Sequence, residues 1–306
     1  MKFKYRILIS AISLITLLSL SFISIGCVKY FKSDKDKVKK SQQNQPIPPP
    51  KRDVPGKRFT LSIGQLYIPD FFDPALTEKT EAIIFFHGAA WCSEQTFYDG
   101  GKNAVLVSIS SKDYSELFVD PNNFSKLIEE TTKTLANEGI TSKPIGKICL
   151  TSFSGGYVAV REILKHKEFQ NLITDVVLAD SLYAPRLEGK PNTIDPEAMK
   201  PFLEYAQRAA SGECTFIFSQ LYPPKKKHRT NTTTLTAAYL IKKIGAERTY
   251  PKSAYSSRKA KILYRVDKGN FHILGYSGMT TQDHFEHFYG LSDLYKETSL
   301  ANAKNK

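Results

Sequence analysis

The sequence predicts an α/β protein with a doubly wound, mostly parallel sheet. Six short apolar runs are continuous, as expected of strands covered on both faces; they are residues 82–86, 104–108, 147–151, 175–179, 214–218 and 261–265. Helical patterns lie between them, over residues 122–138, 155–168, 195–211, 231–244 and 281–297. In such a sheet the ligand crevice lies beyond the carboxyl ends of the strands, so the residues that follow each run are the first candidates for function.

The chain divides into four predicted parts. Residues 1–26 are typical of an export signal, because three basic residues precede an uncharged apolar stretch. Residues 27–58 are basic and rich in proline, with little to bury, and we expect a disordered tether. Residues 59–298 are long enough for one α/β domain. Residues 299–306 are expected to form a flexible tail.

The tetrapeptide Ser24-Ile25-Gly26-Cys27 resembles a bacterial lipobox. The resemblance implies an exported lipoprotein that is anchored to the membrane through lipid on Cys27 and faces the periplasm or the cell exterior. An uncleaved anchor helix and simple secretion are the alternatives. The apolar stretch of residues 7–28 is at the short end of what spans a hydrocarbon core of about 30 Å.

The positive charge is concentrated outside the predicted domain. The formal net charge is +13, of which residues 1–58 carry +10 and the rest of the chain +3. A basic segment next to a membrane suits anionic lipid headgroups, whereas a nucleic-acid binder needs its charge on the folded surface. We therefore expect no nucleic-acid partner.

The third run leads into Ser152-Phe153-Ser154-Gly155-Gly156 and then into a helical pattern. A tight strand-to-helix turn needs small residues two positions on either side of its centre, and it projects the central side chain into the crevice. Ser154 is therefore the candidate nucleophile. The general pattern is G-x-S-x-G, with Ser152 here in place of the first glycine. The alternative interpretation is a Ser/Gly-rich helix start.

Asp180 is the candidate acid, because it directly follows the run of residues 175–179. The next run, residues 214–218, is followed by no carboxylate until Glu247. A capping aspartate in a turn is the alternative.

Three histidines follow the last core strand and compete for the role of base. A turn signal at residues 268–270 places His272 inside a hairpin strand. His284 opens a helix after a loop and ranks first, ahead of His272 and His287. Its ring is expected within hydrogen-bond reach of Ser154 Oγ, roughly 2.6–3.2 Å. His284 and His287 could also hold a metal, but a third ligand is missing, so we expect no metal and no cofactor.

The first run ends in His87-Gly88-Ala89-Ala90-Trp91, and with the serine turn this resembles the α/β-hydrolase family. Three further motifs are Leu178-Ala179-Asp180-Ser181-Leu182-Tyr183 after a strand, Thr232-Thr233-Thr234 at the start of a helix, and the late pair His284 and His287. With them the chain resembles bacterial serine-hydrolase-like lipoproteins over most of residues 80–295. The resemblance implies an α/β-hydrolase type of sheet and an oxyanion hole formed by the amides of Ala89 and Gly155. It also implies the chain order serine, acid, histidine.

The resulting hypothesis is a serine hydrolase that cleaves an ester or amide bond through an acyl-enzyme on Ser154. Its substrate would be a small molecule or an envelope polymer. An acyltransferase with the same residues and a non-catalytic binding module are the alternatives. A small lid-like insertion after Asp180, residues 182–213, is expected to cover the crevice, with Trp91, Tyr183 and Tyr222 in the substrate pocket.

Overall fold

The computed structural model describes residues 46–190, 192–223 and 232–304. In these ranges nine strands form one sheet, in the order β1-β2-β4-β3-β5-β6-β7-β9-β8. The strands are β1 (Gly56–Thr60), β2 (Gln65–Pro69), β3 (Thr80–Phe86), β4 (Val105–Ile109), β5 (Ile145–Phe153), β6 (Ile173–Ala179), β7 (Thr215–Tyr222), β8 (Ile262–Lys268) and β9 (Phe271–Ser277). The β1–β2, β2–β4 and β8–β9 pairs are antiparallel, and the other five are parallel. The predicted α/β class is confirmed.

Helices cover both faces of the sheet. They are α1 (Ala90–Gly100), α2 (Tyr114–Val119), α3 (Pro121–Asn137), α4 (Tyr157–Leu164), α5 (Pro196–Ala210), α6 (Thr232–Ile244), α7 (Thr281–Tyr289) and α8 (Leu291–Tyr295). Helices α2 to α6 contribute to one apolar cluster, and α1, α7 and α8 to the other.

Strand β3 shows why the predicted strands lack polar alternation. Its Ile84 and Phe86 side chains belong to the first cluster. Ile83 and Phe85 belong to the second. Because successive side chains of a strand point to opposite faces, a strand between two helical layers carries apolar residues on both faces, as residues 82–86 do here.

The folded chain begins before residue 59, the predicted start of the domain. Strand β1 starts at Gly56, and Val54 is buried. The Gln95 side chain accepts from the amide of Arg52 (3.3 Å) and donates to the carbonyl of Pro50 (3.2 Å). Residues 46–58, predicted to be part of a disordered tether, therefore lie against the domain.

The predicted signal, Cys27 and the rest of the tether lie outside the described residues. Within the three described ranges, no helix is both long and apolar enough to cross a bilayer.

The predicted lid-like insertion is largely a helix that packs on the sheet. Helix α5 buries Met199, Phe202, Tyr205, Ala206 and Ala209. The Tyr205 hydroxyl donates to the carbonyl of Ile173, the first residue of β6 (3.2 Å). The segment is therefore mainly the crossover between β6 and β7. Of its described residues, 182–190 and 192–195 form the loop before α5 and lie outside this packed helix.

The predicted flexible tail is bound to the domain over residues 299–302. Leu300 is buried, and the Ala301 amide donates to Glu81 Oε2 (2.7 Å). Lys102 has a fully buried side chain whose Nζ donates to the carbonyls of Leu300 (3.0 Å) and Thr298 (3.2 Å). Its third acceptor is the carbonyl of Lys296 (3.5 Å).

Lys102→Met is expected to lower the free energy of unfolding by about 3 kcal/mol, because buried carbonyls that lose a donor cost about 1–3 kcal/mol each. Urea unfolding of the full chain measures the loss. Lys296→Met is the control, since the Lys296 ammonium is exposed and 3.8 Å from Asp293, and a surface pair contributes at most about 1 kcal/mol. Equal effects of the two substitutions would contradict the role of Lys102 as an anchor of the tail.

Candidate active site

Ser154 lies in a strained turn between β5 and α4. Its φ is +50°, a left-handed value that residues other than glycine rarely adopt. Residues Ser154–Gly156 form a single 3-10 turn that connects the strand to the helix. A Cβ on Gly156 would lie 2.3 Å from the Phe86 carbonyl oxygen, so only glycine fits there. The turn is thus of the nucleophile-elbow type expected from the sequence.

Asp180 follows β6 at the same edge of the sheet and is almost fully buried. Its φ is also positive, at +41°, and its amide donates to the Ser219 carbonyl (2.7 Å). Asp180 Oδ1 accepts from the Leu221 amide (3.1 Å), and Oδ2 lies 2.6 Å from His284 Nδ1.

Burial alone would raise the pKa of Asp180. The hydrogen bond from His284, the charges of His287 and His284 and the Leu221 amide outweigh burial and lower the pKa below its usual value. The carboxylate is therefore ionised at neutral pH and accepts from the imidazole.

His284 is held by the start of α7 and by an aromatic ring. A capping box formed by Thr280 and Asp283 fixes the first turn of the helix. The imidazole stacks on Phe153, with ring centroids 4.6 Å apart. Since Nδ1 is bound to Asp180, Nε2 is the nitrogen left for proton transfer.

The described side chains form no direct hydrogen bond between Ser154 Oγ and His284, which differs from the expectation. The Ser154 side chain lies near the Tyr183 hydroxyl, where it partly offsets the rise in the pKa of Tyr183 that burial causes. Phe153 connects the two catalytic candidates, because it precedes Ser154 in the chain and its ring stacks on His284. Such bonds in unliganded sites are often long and tighten only with substrate.

The competing histidines have other partners. His272 is on β9 within the β8–β9 hairpin, and its Nδ1 lies 2.6 Å from Asp267 Oδ1. Its neighbour Phe271 pairs with Phe216 near the start of β7, at the opposite end of the parallel strands from Asp180. His287 is buried, with Nδ1 2.9 Å from Ser219 Oγ.

Burial, together with the charge of His284, lowers the pKa of His287 from 6.5 to about 4 against the opposing charges of Asp180 and Asp283. Above pH 6.5 the ring is neutral in the folded and unfolded chain. As the pH falls towards 4, only the unfolded chain binds the proton, so stability is lost in this window.

We expect this loss to be roughly 3 kcal/mol for the wild type and to disappear in His287→Gln. Urea unfolding of both proteins at pH 7 and pH 4.5 measures this loss. The difference between their free energies of unfolding is expected to be smaller at pH 4.5 than at pH 7. Asp180 and Asp283 have lowered pKa values, and they titrate below this window. A difference that is the same at both pH values would show that His287 is not buried in its neutral form.

The loop after β3 lies beside the nucleophile turn. A Cβ on Gly155 would be 3.7 Å from the His87 ring, and a Cβ on Gly88 would lie 2.7 Å from the Phe288 ring. Burial and the charge of His284 lower the pKa of His87. Ala89 follows in this loop and precedes the first turn of α1. The structure thus brings the loop that contains Ala89 close to Gly155, beside the nucleophile turn.

The three predicted pocket residues differ in position. Tyr183 lies near the Ser154 side chain, which lowers the pKa of Tyr183 against the effect of burial, and its ring packs on Tyr157 with centroids 5.6 Å apart. Trp91 is half-buried on α1 and packs against the second apolar cluster. Tyr222 ends β7 and packs edge-on against Tyr264 on β8.

Phe153 and Tyr157 are site residues that sequence reasoning missed. Phe153 stacks on His284, and Tyr157 packs on Tyr183. The signal that points to them is their position next to the Ser154 turn, because residues that flank an elbow must pack around it.

The carboxylates and histidines of α7 point to different partners. Asp283 caps the helix, and Glu286 Oε2 accepts from Arg258 (2.9 Å). His284 and His287 bind Asp180 and Ser219, respectively. In the described part of the chain, no group of three or more His, Cys, Asp or Glu residues is placed to hold a metal ion.

Comparisons with known proteins find structural likeness at low identity. No protein-family model and no curated protein matches the sequence. The enterobactin esterase from Shigella flexneri matches with a TM-score of 0.46 and 12% identity, over 84% of this chain and 61% of that chain. Carboxyl esterase 2 from Tuber melanosporum matches at 0.42 and 11%, over 87% and 99%. An esterase from the archaeon Pyrobaculum calidifontis matches at 0.42 and 13%, over 80% and 86%.

The chain spans less than two thirds of the Shigella protein. At these identities, and with TM-scores below 0.5, the likeness says nothing of what this chain does. Within this chain, the elbow follows β5, the Ala89 loop lies between β3 and the first helix, and the residues occur in the order Ser154, Asp180, His284. These are the defining features of one fold. The chain has the fold of the α/β-hydrolase superfamily.

Proposed function

We propose that the protein is a serine hydrolase that cleaves an ester or amide bond through an acyl-enzyme on Ser154. The observation that carries this proposal is the 2.6 Å contact between Asp180 and His284 beside a serine held at φ +50°. A buried carboxylate that binds Nδ1 fixes the tautomer and orientation of an imidazole that acts as a base.

In the proposed reaction, His284 Nε2 takes the proton of Ser154 while Oγ attacks the substrate carbonyl carbon. The amides of Ala89 and Gly155 receive the oxyanion, and such donors contribute about 3 kcal/mol each to the transition state. His284 then gives its proton to the leaving group as the carbonyl–leaving-group bond breaks. A water molecule, deprotonated by His284, then attacks the acyl-enzyme carbonyl carbon. As the bond from that carbon to Ser154 Oγ breaks, His284 returns the proton to Oγ, which releases the acid and restores Ser154.

A fluorophosphonate probe tests the proposal, because it reacts covalently only with an activated serine. We expect the full chain to be labelled and Ser154→Ala to be unlabelled. Circular dichroism of both proteins verifies that they are folded. Absence of labelling on the folded wild type would overturn the proposal and favour a non-catalytic binding module on this scaffold.

We further propose that the enzyme acts at the cell envelope on a small-molecule or polymer substrate, anchored by lipid on Cys27. The support is the lipobox-like Ser24-Ile25-Gly26-Cys27 and the basic segment that follows it. Radiolabelled palmitate is expected to enter the wild type and not Cys27→Ser in a bacterial host. Equal incorporation into both proteins would contradict lipidation at this residue.

A further inference from the structure

Three serines around the nucleophile turn form a buried chain of hydrogen bonds. Ser152 Oγ lies 2.8 Å from Ser181 Oγ. Ser181 Oγ in turn donates to the main-chain carbonyl of Ser154 (2.8 Å). Ser152 and Ser181 have no exposed surface. These hydrogen bonds thus connect the end of β5, the residue after the acid and the backbone of the nucleophile.

The direction of these hydrogen bonds is fixed by chemistry. A carbonyl oxygen can only accept, so the single proton of the Ser181 hydroxyl is committed to Ser154. Ser152 must therefore donate to Ser181 Oγ. Both buried hydroxyls are satisfied in this arrangement, as buried polar groups need to be.

The acceptor belongs to a strained residue. A left-handed φ on a serine persists only where the surroundings hold it, and Ser181 holds the carbonyl of Ser154. Asp180, the neighbour of Ser181, has a positive φ as well. The hydrogen bond from Ser181 therefore links the turn that carries the acid to the turn that carries the nucleophile. We expect a displacement of one turn to move the other.

We propose that Ser181 is a positioning residue that sets the place of the Ser154 hydroxyl, and that Ser152 is its obligatory partner. This inference rests on the proposed function. It also explains why serine stands at the first small position of the elbow, where the general pattern has glycine. A glycine there would lack the hydroxyl that donates to Ser181.

The test measures kcat and KM for hydrolysis of a p-nitrophenyl ester, and the rate of fluorophosphonate labelling. It compares the full-length wild type with Ser181→Ala, Ser152→Ala and the double variant. We expect Ser181→Ala to lower kcat and the labelling rate at least about tenfold with KM nearly unchanged, because a displacement of about 1 Å can cost about 100-fold. Ser152→Ala should have a smaller effect and none in the Ser181→Ala background, since its hydroxyl acts only through Ser181.

Thr131→Val is the matched control. Its buried hydroxyl donates to the carbonyl of Leu127 (2.7 Å) on α3. We expect a change in melting temperature without a change in kcat. Ser181→Cys, whose thiol is larger than the hydroxyl and a weaker donor, replaces Ser181→Ala if that variant does not fold.

Two outcomes overturn the inference in different ways. If the wild type is labelled and Ser181→Ala is labelled within about twofold of its rate, Ser181 does not position the nucleophile and the proposed function stands. If the folded wild type is not labelled at all, the proposed function fails and the inference fails with it.

Discussion

His284→Ala is expected to lower kcat by about six orders of magnitude, as far as Ser154→Ala does, because coupled members of a triad fail together. Among the described residues, His284 is the side chain hydrogen-bonded to Asp180, so its removal leaves the acid without a base to orient. The measurement is steady-state hydrolysis of an activated ester such as a p-nitrophenyl ester by the purified full-length variants.

The other histidines supply the controls for this prediction. His272→Ala removes a ring that is bonded to Asp267 at the far end of the strands. His87→Ala removes a ring that braces the loop before Ala89. Both are expected to cost much less than His284→Ala. A severe loss in His272→Ala combined with a mild loss in His284→Ala would contradict the assignment of the base.

Asp180→Asn is expected to lower kcat by about four orders of magnitude while the fold is kept, because an amide in place of the carboxylate favours the wrong tautomer of the imidazole. The side-chain oxygen of the introduced asparagine can still accept from the Leu221 amide, which limits the effect on stability. The same ester assay measures the loss, and the melting temperature reports on the fold.

The chain offers a matched pair for this experiment. Asp267 and His272 form a contact of the same length, 2.6 Å, outside the site. Asp267→Asn is therefore expected to leave kcat unchanged. If Asp180→Asn keeps nearly full activity, or if both substitutions reduce activity equally, Asp180 is not the acid that orients the base.

The sequence was sufficient to predict the parts of the fold that are buried on both faces. The six apolar runs all correspond to strands. Five of them, β3 to β7, lie inside the sheet between two helical layers, whereas the sixth is the edge strand β8, which is only partly buried. The Gly269-containing turn likewise predicted the β8–β9 hairpin, which removed His272 from the crevice. The predicted pairing of His284 with Asp180 rested on the exclusion of His272 and on the order of the strands.

Other parts could not be predicted from local pattern. Helix α1 buries Ser93, Glu94, Gln95 and Thr96, so its sequence does not show apolar residues at helical spacing. Its first residue is preceded by Ala89, which makes no side-chain cap. The ordering of residues 46–58 and 299–302 depends on distant partners such as Gln95 and Lys102, and contacts of this kind leave no periodic signal in the segments themselves.

The same limit applies to the site. Ser152 departs from the expected glycine, and only the fold shows that its partner is Ser181, in the loop after β6. Tyr183 was predicted from its place after the acid, but its position near the Ser154 side chain depends on how the loop after β6 folds over the elbow.

The most direct test of the central claim is to identify the residue that a fluorophosphonate modifies. The full-length protein is labelled, digested and analysed by tandem mass spectrometry. We predict one adduct per chain, on Ser154, although the same peptide region also contains Ser152. An adduct on another residue, or a folded protein that carries none, would contradict the assignment of Ser154 as the nucleophile.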